Sequence, residues 1–349
     1  MRDRLLIYGS NGYTGELVAR LARARGLAPI LAGRSASIDG LARELGCESR
    51  VFGLDHPAAL ERGLEGVRVV AHCAGPFSHT SRQMVDACLR VGAHYLDITG
   101  EAAVFETLAG RDAEAKAAGV MLLPGAGFDV VPSDCLAAHL KRRLPSATQL
   151  TLAFHSSGGL SRGTLTTMIE NLHRGGLVRR NGLLTPVPSA YRTRLVDFGR
   201  GPRKAMTIPW GDVSTAFHST DIPNIEVYVA AAAARILALQ LARPLLGLAA
   251  TGPVQSFLLR RVRAGATGPT TDARERGRCF FWGEVEDDQG RRAAARQQTP
   301  EGYTLTALTA VTIAERSLNG DAPRGFMTPS KAYGPDFVLA IEGVTRQDL

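Results

Sequence analysis

The sequence predicts a two-part α/β fold: a doubly wound parallel domain at the amino terminus, then an α+β domain built on a mostly antiparallel sheet. Three observations predict it. A short apolar run, Leu5-Leu6-Ile7-Tyr8, enters a turn with glycines at 9, 12 and 15, and a helical pattern follows over 16–25. Strand-like and helix-like segments then alternate, with brief connections, as far as residue 124. Later, 149–155 alternates apolar and polar residues, and 278–286 with 292–298 reads as a hairpin turning at 287–290.

The glycine turn is the most informative element. Strand, glycine turn and helix together seat a dinucleotide pyrophosphate on a helix N-terminus. Gly9 permits the tight exit from the strand, Gly12 lets backbone approach the phosphates, and Gly15 lets the helix pack close to the strand. The spacing is GxxGxxG rather than GxGxxG. Ser10, Asn11, Tyr13 and Thr14 complete the expected phosphate cradle. At the end of the next strand, read over 28–33, stand Arg34 and Ser35. NAD sites usually place an acid there to accept the ribose hydroxyls. A guanidinium favours a 2′-phosphate instead, and a serine hydroxyl adds a donor. The expected cofactor is therefore NADP(H).

The remaining elements follow the same logic. Strands are expected at 4–8, 28–33, 49–53, 67–72, 94–98 and 120–124, and helices at 14–25, 37–45, 57–64, 80–91 and 103–118. The runs 67–71 and 120–123 are continuously apolar, as parallel strands covered on both faces should be. This is a Rossmann sheet, and ligands on such sheets bind beyond the carboxyl ends of the strands. Three unusual loops fall at those ends. The first, Cys73-Ala74-Gly75-Pro76-Phe77, is small and flat enough to lie against a nicotinamide. The second contains Asp97 and Glu101, and the third, 124–134, contains Asp129.

Composition limits the alternatives. With 349 residues, 45% hydrophobic and 21% charged, the chain suits a soluble globular protein of two domains. The net charge is +8, and only Lys116, Lys141, Lys204 and Lys331 are not arginine among the basic residues. The arginines are scattered, without the basic stripe and interleaved aromatics that nucleic acid requires. Five cysteines (47, 73, 88, 135 and 279) are widely spaced and suggest neither a disulfide framework nor a zinc site. No signal peptide is recognised, so a cytoplasmic protein is expected. No stretch reads as transmembrane, because the longest uncharged apolar run, 244–259, holds Gly247, Gly252 and Pro253.

With these motifs in order, the chain resembles the saccharopine dehydrogenase-like NADP-binding proteins, including the branch called trans-acting enoyl reductases. The matching segments are 9–15, 32–35, 73–77, 95–101 and 127–134, with later pieces at 268–274 and from Gly302-Tyr303 to Glu315, then Thr328-Pro329. The resemblance implies a Rossmann domain over 1–130, a substrate and dimerisation domain over 131–300, and a segment, 301–349, that returns to the Rossmann domain. It also implies hydride transfer to or from a C=N, C=O or conjugated C=C bond of a small molecule. The alternative is a non-catalytic NADP-binding accessory protein.

Asp129 and Glu101 are the candidate catalytic groups. Asp129 could carry a proton or cap the helix beginning near Pro132, and Glu101 could line the pocket or favour the helix that follows it. His72 and Tyr95 read as packing, while His79 and His155 are weaker acid–base candidates. Arg162 and Arg192 are available for a carboxylate-rich substrate, with no sign that they converge. Residues 226–263 are rich in Ala, Leu and Val. They read first as a buried or dimer-forming helix pair, then as the wall of an apolar tunnel, then as a helix resting on a membrane surface with Arg260, Arg261 and Arg263 near headgroups. A homodimer through the second domain is the expected assembly.

Overall fold

Leu6, Ile7, Val69 and Val70 are wholly excluded from solvent at the centre of a parallel sheet, the burial their unbroken apolar runs require. The computed structural model describes residues 3–349. The chain divides into two units, Met1–Val131 with Tyr303–Ala332, and Pro132–Gly302 with Tyr333–Leu349.

In the first unit the strands are β1 (Arg4–Tyr8), β2 (Ile30–Gly33), β3 (Ser49–Val51), β4 (Val67–His72), β5 (His94–Asp97) and β6 (Met121–Leu123). Their order is β3-β2-β1-β4-β5-β6, all parallel, and Gly325–Phe326 extends the sheet beyond β6. The order reverses between β1 and β4, so the crevice for a ligand opens at their carboxyl ends. The glycine turn follows β1 and the Cys73 loop follows β4 there.

Boundaries shift for local reasons. β2 begins at Ile30 because Pro29 has no N–H to give a ladder. The single helix expected over 103–118 is two, Ala102–Ala109 and Asp112–Ala118. Gly110 and Arg111 separate them, and the Arg111 guanidinium bonds Asp86 and Glu114.

The return segment forms the helix Gly302–Leu318 and buries Leu305, Val311, Ile313 and Ala314. The chain beyond it departs from expectation. Residues 333–349 belong to the second unit rather than the Rossmann unit, because Thr345–Asp348 pairs antiparallel with Arg292–Pro300. Arg346 secures that tail with bonds to Asp336 and the Gln297 Oε1.

The second unit has a mixed sheet of nine strands among the described residues. Gln149–Ser156 pairs parallel with Asn224–Ala230 and antiparallel with Arg278–Glu286, whose hairpin partner is Arg292–Pro300. The start of the apolar segment 226–263 is thus a strand. Beyond it lie the helix Ala233–Leu241, the 3-10 stretch Arg243–Ala250 and the helix Gly252–Ala264. The reading of these as core helices fails. The first buries Ile236 and the last buries no residue. Alanine and leucine content signalled a core, but the apolar residues are spread around each helix instead of falling on one inward stripe.

Candidate functional site

The turn after β1 is held by contacts that exclude side chains. Gly9 has φ of +81°, and a Cβ there would lie 2.8 Å from the Ala74 Cβ. A Cβ on Gly15 would lie 2.2 Å from the Gly9 carbonyl oxygen, well inside contact distance. The helix Tyr13–Ala24 starts at Gly12, which has no side chain to cap it, so the first turn presents its dipole and backbone to the crevice. Tyr13 packs edge-on against Tyr303 at 5.0 Å between ring centroids.

Not every residue of the turn faces outward. Ser10 is buried, and both its amide and its hydroxyl donate to the Ala32 carbonyl. Its expected role as a phosphate ligand is therefore corrected: it closes the turn against β2 and offers no donor. Asn11 reaches across to the loop after β2, donating from Nδ2 to Ser37 Oγ at 2.8 Å, and Ser37 Oγ lies 2.8 Å from Ser35 Oγ. This polar chain links the glycine turn to Ser35. Arg34 is exposed and forms no ion pair among the described residues.

Across the crevice, the Cys73 amide donates to the Tyr8 carbonyl at 2.8 Å, so the loop 73–76 leaves alongside the glycine turn. Burial, with Asp97 nearby, pushes the Cys73 thiol up to about 12, which keeps it protonated and unreactive. Phe77 does not face the crevice. It begins the helix Phe77–Val91, and its ring is buried against His72. The expectation that it contacts a nicotinamide is corrected accordingly. His72 is core, as its strand position suggested, and burial lowers it to about 3.

Three carboxylates stand at this edge with different surroundings. Asp97 is buried at the end of β5. Its Oδ1 accepts from the amides of Thr99 and Gly125 at 2.9 Å, and its Oδ2 accepts from the Tyr95 hydroxyl at 2.8 Å. Burial raises it to about 6, against the pull of those donors. Asp97 thereby ties the loops after β5 and β6 together. Glu101 is engaged as well: its two carboxylate oxygens accept from the Phe77 and Ser78 amides at 2.7 and 3.2 Å. It caps the helix Phe77–Val91, not the helix that follows it in sequence, which gives it a structural duty.

Asp129 is the exception. It sits half-buried just before the helix Val131–Arg143 and accepts no hydrogen bond from the described residues. The capping role open in the sequence is not what the structure shows. Its carboxyl lies over Gly100, where a Cβ would come within 2.7 Å of Oδ2. Burial raises it to about 7. The loop that carries it is fastened by two threonines that the sequence reading passed over. Thr306 Oγ1 accepts from the Phe128 amide at 3.0 Å, and Thr309 Oγ1 donates to the Ala126 carbonyl at 2.7 Å. The available signal was two hydroxyls three apart inside an apolar helical stripe, since buried hydroxyls need partners.

Other candidates lie elsewhere. His79 is exposed. His155 stacks on Phe280 in the second unit and is lowered by burial and by Arg203 and Arg200. Arg162 donates to the Gly265 carbonyl, and Arg192 pairs with Glu226, so they do not converge. Among the described residues, no three His, Cys, Asp or Glu side chains group as metal ligands. Among the described residues, no helix is long and apolar enough to cross a membrane.

Comparison with known proteins agrees with this geometry. Residues 5–123 match the family described as the saccharopine dehydrogenase NADP binding domain. That match takes in the parallel sheet from β1 to β6, and the remainder of the chain lies outside it. A trans-acting enoyl reductase from Mycobacterium tuberculosis is 26% identical across 97% of this chain and 95% of its own. One from Mycobacterium leprae is 32% identical over 149 residues, covering 40% of this chain and 36% of that protein. At that identity the match spans less than half the length of the curated relatives. Apo saccharopine dehydrogenase (L-Glu forming) from Saccharomyces cerevisiae superposes with a TM-score of 0.67 at 11% identity, covering 99% of this chain and 100% of that one. That likeness concerns the fold.

The matched domain is one that binds NADP, and the site fits that cofactor: a glycine cradle closed to side chains, a helix start without a side-chain cap, and an exposed arginine beside a serine. Gly15→Ala should disrupt this cradle, because the added methyl meets backbone that cannot move alone. The expected result is at least tenfold weaker NADPH binding by fluorescence titration, with a lower unfolding temperature; unchanged binding would contradict the packing described.

Proposed function

We propose that the chain is an NADP(H)-dependent oxidoreductase, moving hydride between nicotinamide and a C=N, C=O or conjugated C=C bond of an apolar or acyl small molecule. The bound nicotinamide supplies or accepts the hydride. The names of the enoyl reductase relatives favour the conjugated C=C bond. Arg162 and Arg192, each engaged within the protein, do not favour a substrate with several carboxylates.

The observation that carries this reading is Asp129, an unpartnered carboxyl raised to about 7 at the carboxyl edge of a cofactor-binding sheet. Reduction of a polarised double bond adds a hydride to one atom and a proton to the other. A carboxyl that holds its proton near neutral pH suits the second addition, and the same group as carboxylate takes a proton in the reverse direction. Gly9, Asn11, Gly12, Tyr13, Thr14 and Gly15 hold the pyrophosphate, Arg34 and Ser35 the 2′-phosphate. The backbone of Cys73, Ala74, Gly75 and Pro76 lies beside the nicotinamide. Asp97 and Glu101 act as positioning residues by fixing the loops around Asp129.

The test is NADPH consumption against a panel of enoyl, keto and imino substrates. Turnover with at least one is expected. Binding of NADPH with no turnover across the panel would favour the accessory-protein reading. Arg34→Ala should weaken NADPH by about 1.5–3 kcal/mol, the scale of a lost charged hydrogen bond, and leave NADH nearly unchanged. Equal loss for both would remove the 2′-phosphate role.

The raised Asp129 gives a signed pH dependence. Its proton is present below about 7, so kcat in the reductive direction should fall as pH rises through that value. Asp129→Asn should lower kcat and abolish that limb. The same linkage acts on stability. Ionising a carboxyl whose native value lies above its unfolded one destabilises the fold as pH rises through 7. The variant should therefore gain unfolding temperature relative to the parent at pH 8 compared with pH 5, as measured by thermal scans.

A further inference from the structure

The segment from 227 to 271 contains no acidic residue and five arginines, at 235, 243, 260, 261 and 263. Its two helices, Ala233–Leu241 and Gly252–Ala264, both pack against the 3-10 stretch Arg243–Ala250. The first helix exposes Ala234, Leu237, Ala238 and Leu241, a complete stripe at helical spacing. Leu237 is 56% exposed, Leu241 72% and Leu245 63%. On the second helix Phe257 is 50% exposed, with the Arg261 guanidinium 5.4 Å above its ring. Single exposed leucines are ordinary, but a run of them on consecutive elements marks a surface that meets something apolar.

Charge decides what that is. Arg243 is tied inward to the Ser189 and Ala190 carbonyls. Arg235, Arg260, Arg261 and Arg263 are exposed and pair with no carboxylate among the described residues. A second copy of the chain would set this arginine-bearing segment, which itself carries no acidic residue, against its own counterpart, with like charges facing across a two-fold axis. An occupant that is apolar within and anionic at its rim has no such cost. Protruding leucines beside unpaired guanidiniums match the acyl boundary and headgroup layer of an acidic bilayer.

We infer that this helical face docks the protein reversibly on membranes rich in anionic lipid, Leu237, Leu241, Leu245 and Phe257 entering the acyl boundary and the four arginines meeting phosphates. The inference does not rest on the oxidoreductase reading, because none of these residues belongs to the cofactor site.

The experiment is sedimentation of the full chain with vesicles one-third phosphatidylglycerol in phosphatidylcholine, compared with phosphatidylcholine alone. Partition into the acidic vesicles is expected, about tenfold or more above the neutral ones, and weaker at high salt. Leu237→Ser with Leu241→Ser, and separately Arg260→Ser with Arg261→Ser, should each reduce it about tenfold while leaving NADPH binding unchanged. Phe257→Trp tests the folded protein directly: its emission should shift to the blue on acidic vesicles relative to the parent. No partition, partition unaffected by either double variant, or no shift would overturn the inference. So would a concentration-dependent dimer, seen by sedimentation velocity, that the leucine variant dissolves, because the face would then belong to a second copy.

Discussion

Gly15 rests directly on the carbonyl of Gly9, and this contact between two stretches of bare backbone governs the rest of the Rossmann unit. It sets how closely the first helix approaches β1, and so where the start of that helix points. With no side chain in the gap, the strand turns sharply at a positive φ that glycine adopts without strain. The neighbouring loop from β4 then lies against Gly9 through Ala74. One steric constraint thus aligns two walls of the crevice, and it explains why Ser10 faces inward: a turn this tight closes on the Ala32 carbonyl.

The three carboxylates at the sheet edge show how surroundings assign roles to chemically similar groups. Asp97 and Glu101 each accept backbone amides, which satisfies their charge and makes them braces between loops. Asp129, over Gly100, receives no such donors, so desolvation acts on it without compensation. A protein that needed only structure there would gain by supplying a partner or an apolar side chain. Leaving a carboxyl in that condition is the pattern of acid–base sites.

Much of the Rossmann unit was legible because its signals are local. Apolar runs such as 67–71, the glycines at 9, 12 and 15, and Arg34 after β2 speak through neighbours in sequence. The site was legible in outline through the loops that end β4, β5 and β6. What stayed hidden depends on distant partners: the inward turn of Ser10, Phe77 turning into the core, Glu101 capping a helix whose start precedes it by more than twenty residues, and the hold of Thr306 and Thr309 on loop 126–128. The segment 226–263 misled because composition reports how apolar a helix is and not which way it faces.

The fastening of that loop orders events during synthesis. Phe128 and Ala126 find their partners at Thr306 and Thr309, more than 170 residues later, with Pro132–Gly302 of the second unit between. While the ribosome is still making the intervening chain, the Asp129 loop lacks its clasp, although the glycine turn and β1 to β6 have all emerged. Nascent protein can therefore form the glycine turn well before the Asp129 loop is fixed, which happens only when the helix Gly302–Leu318 reaches its place.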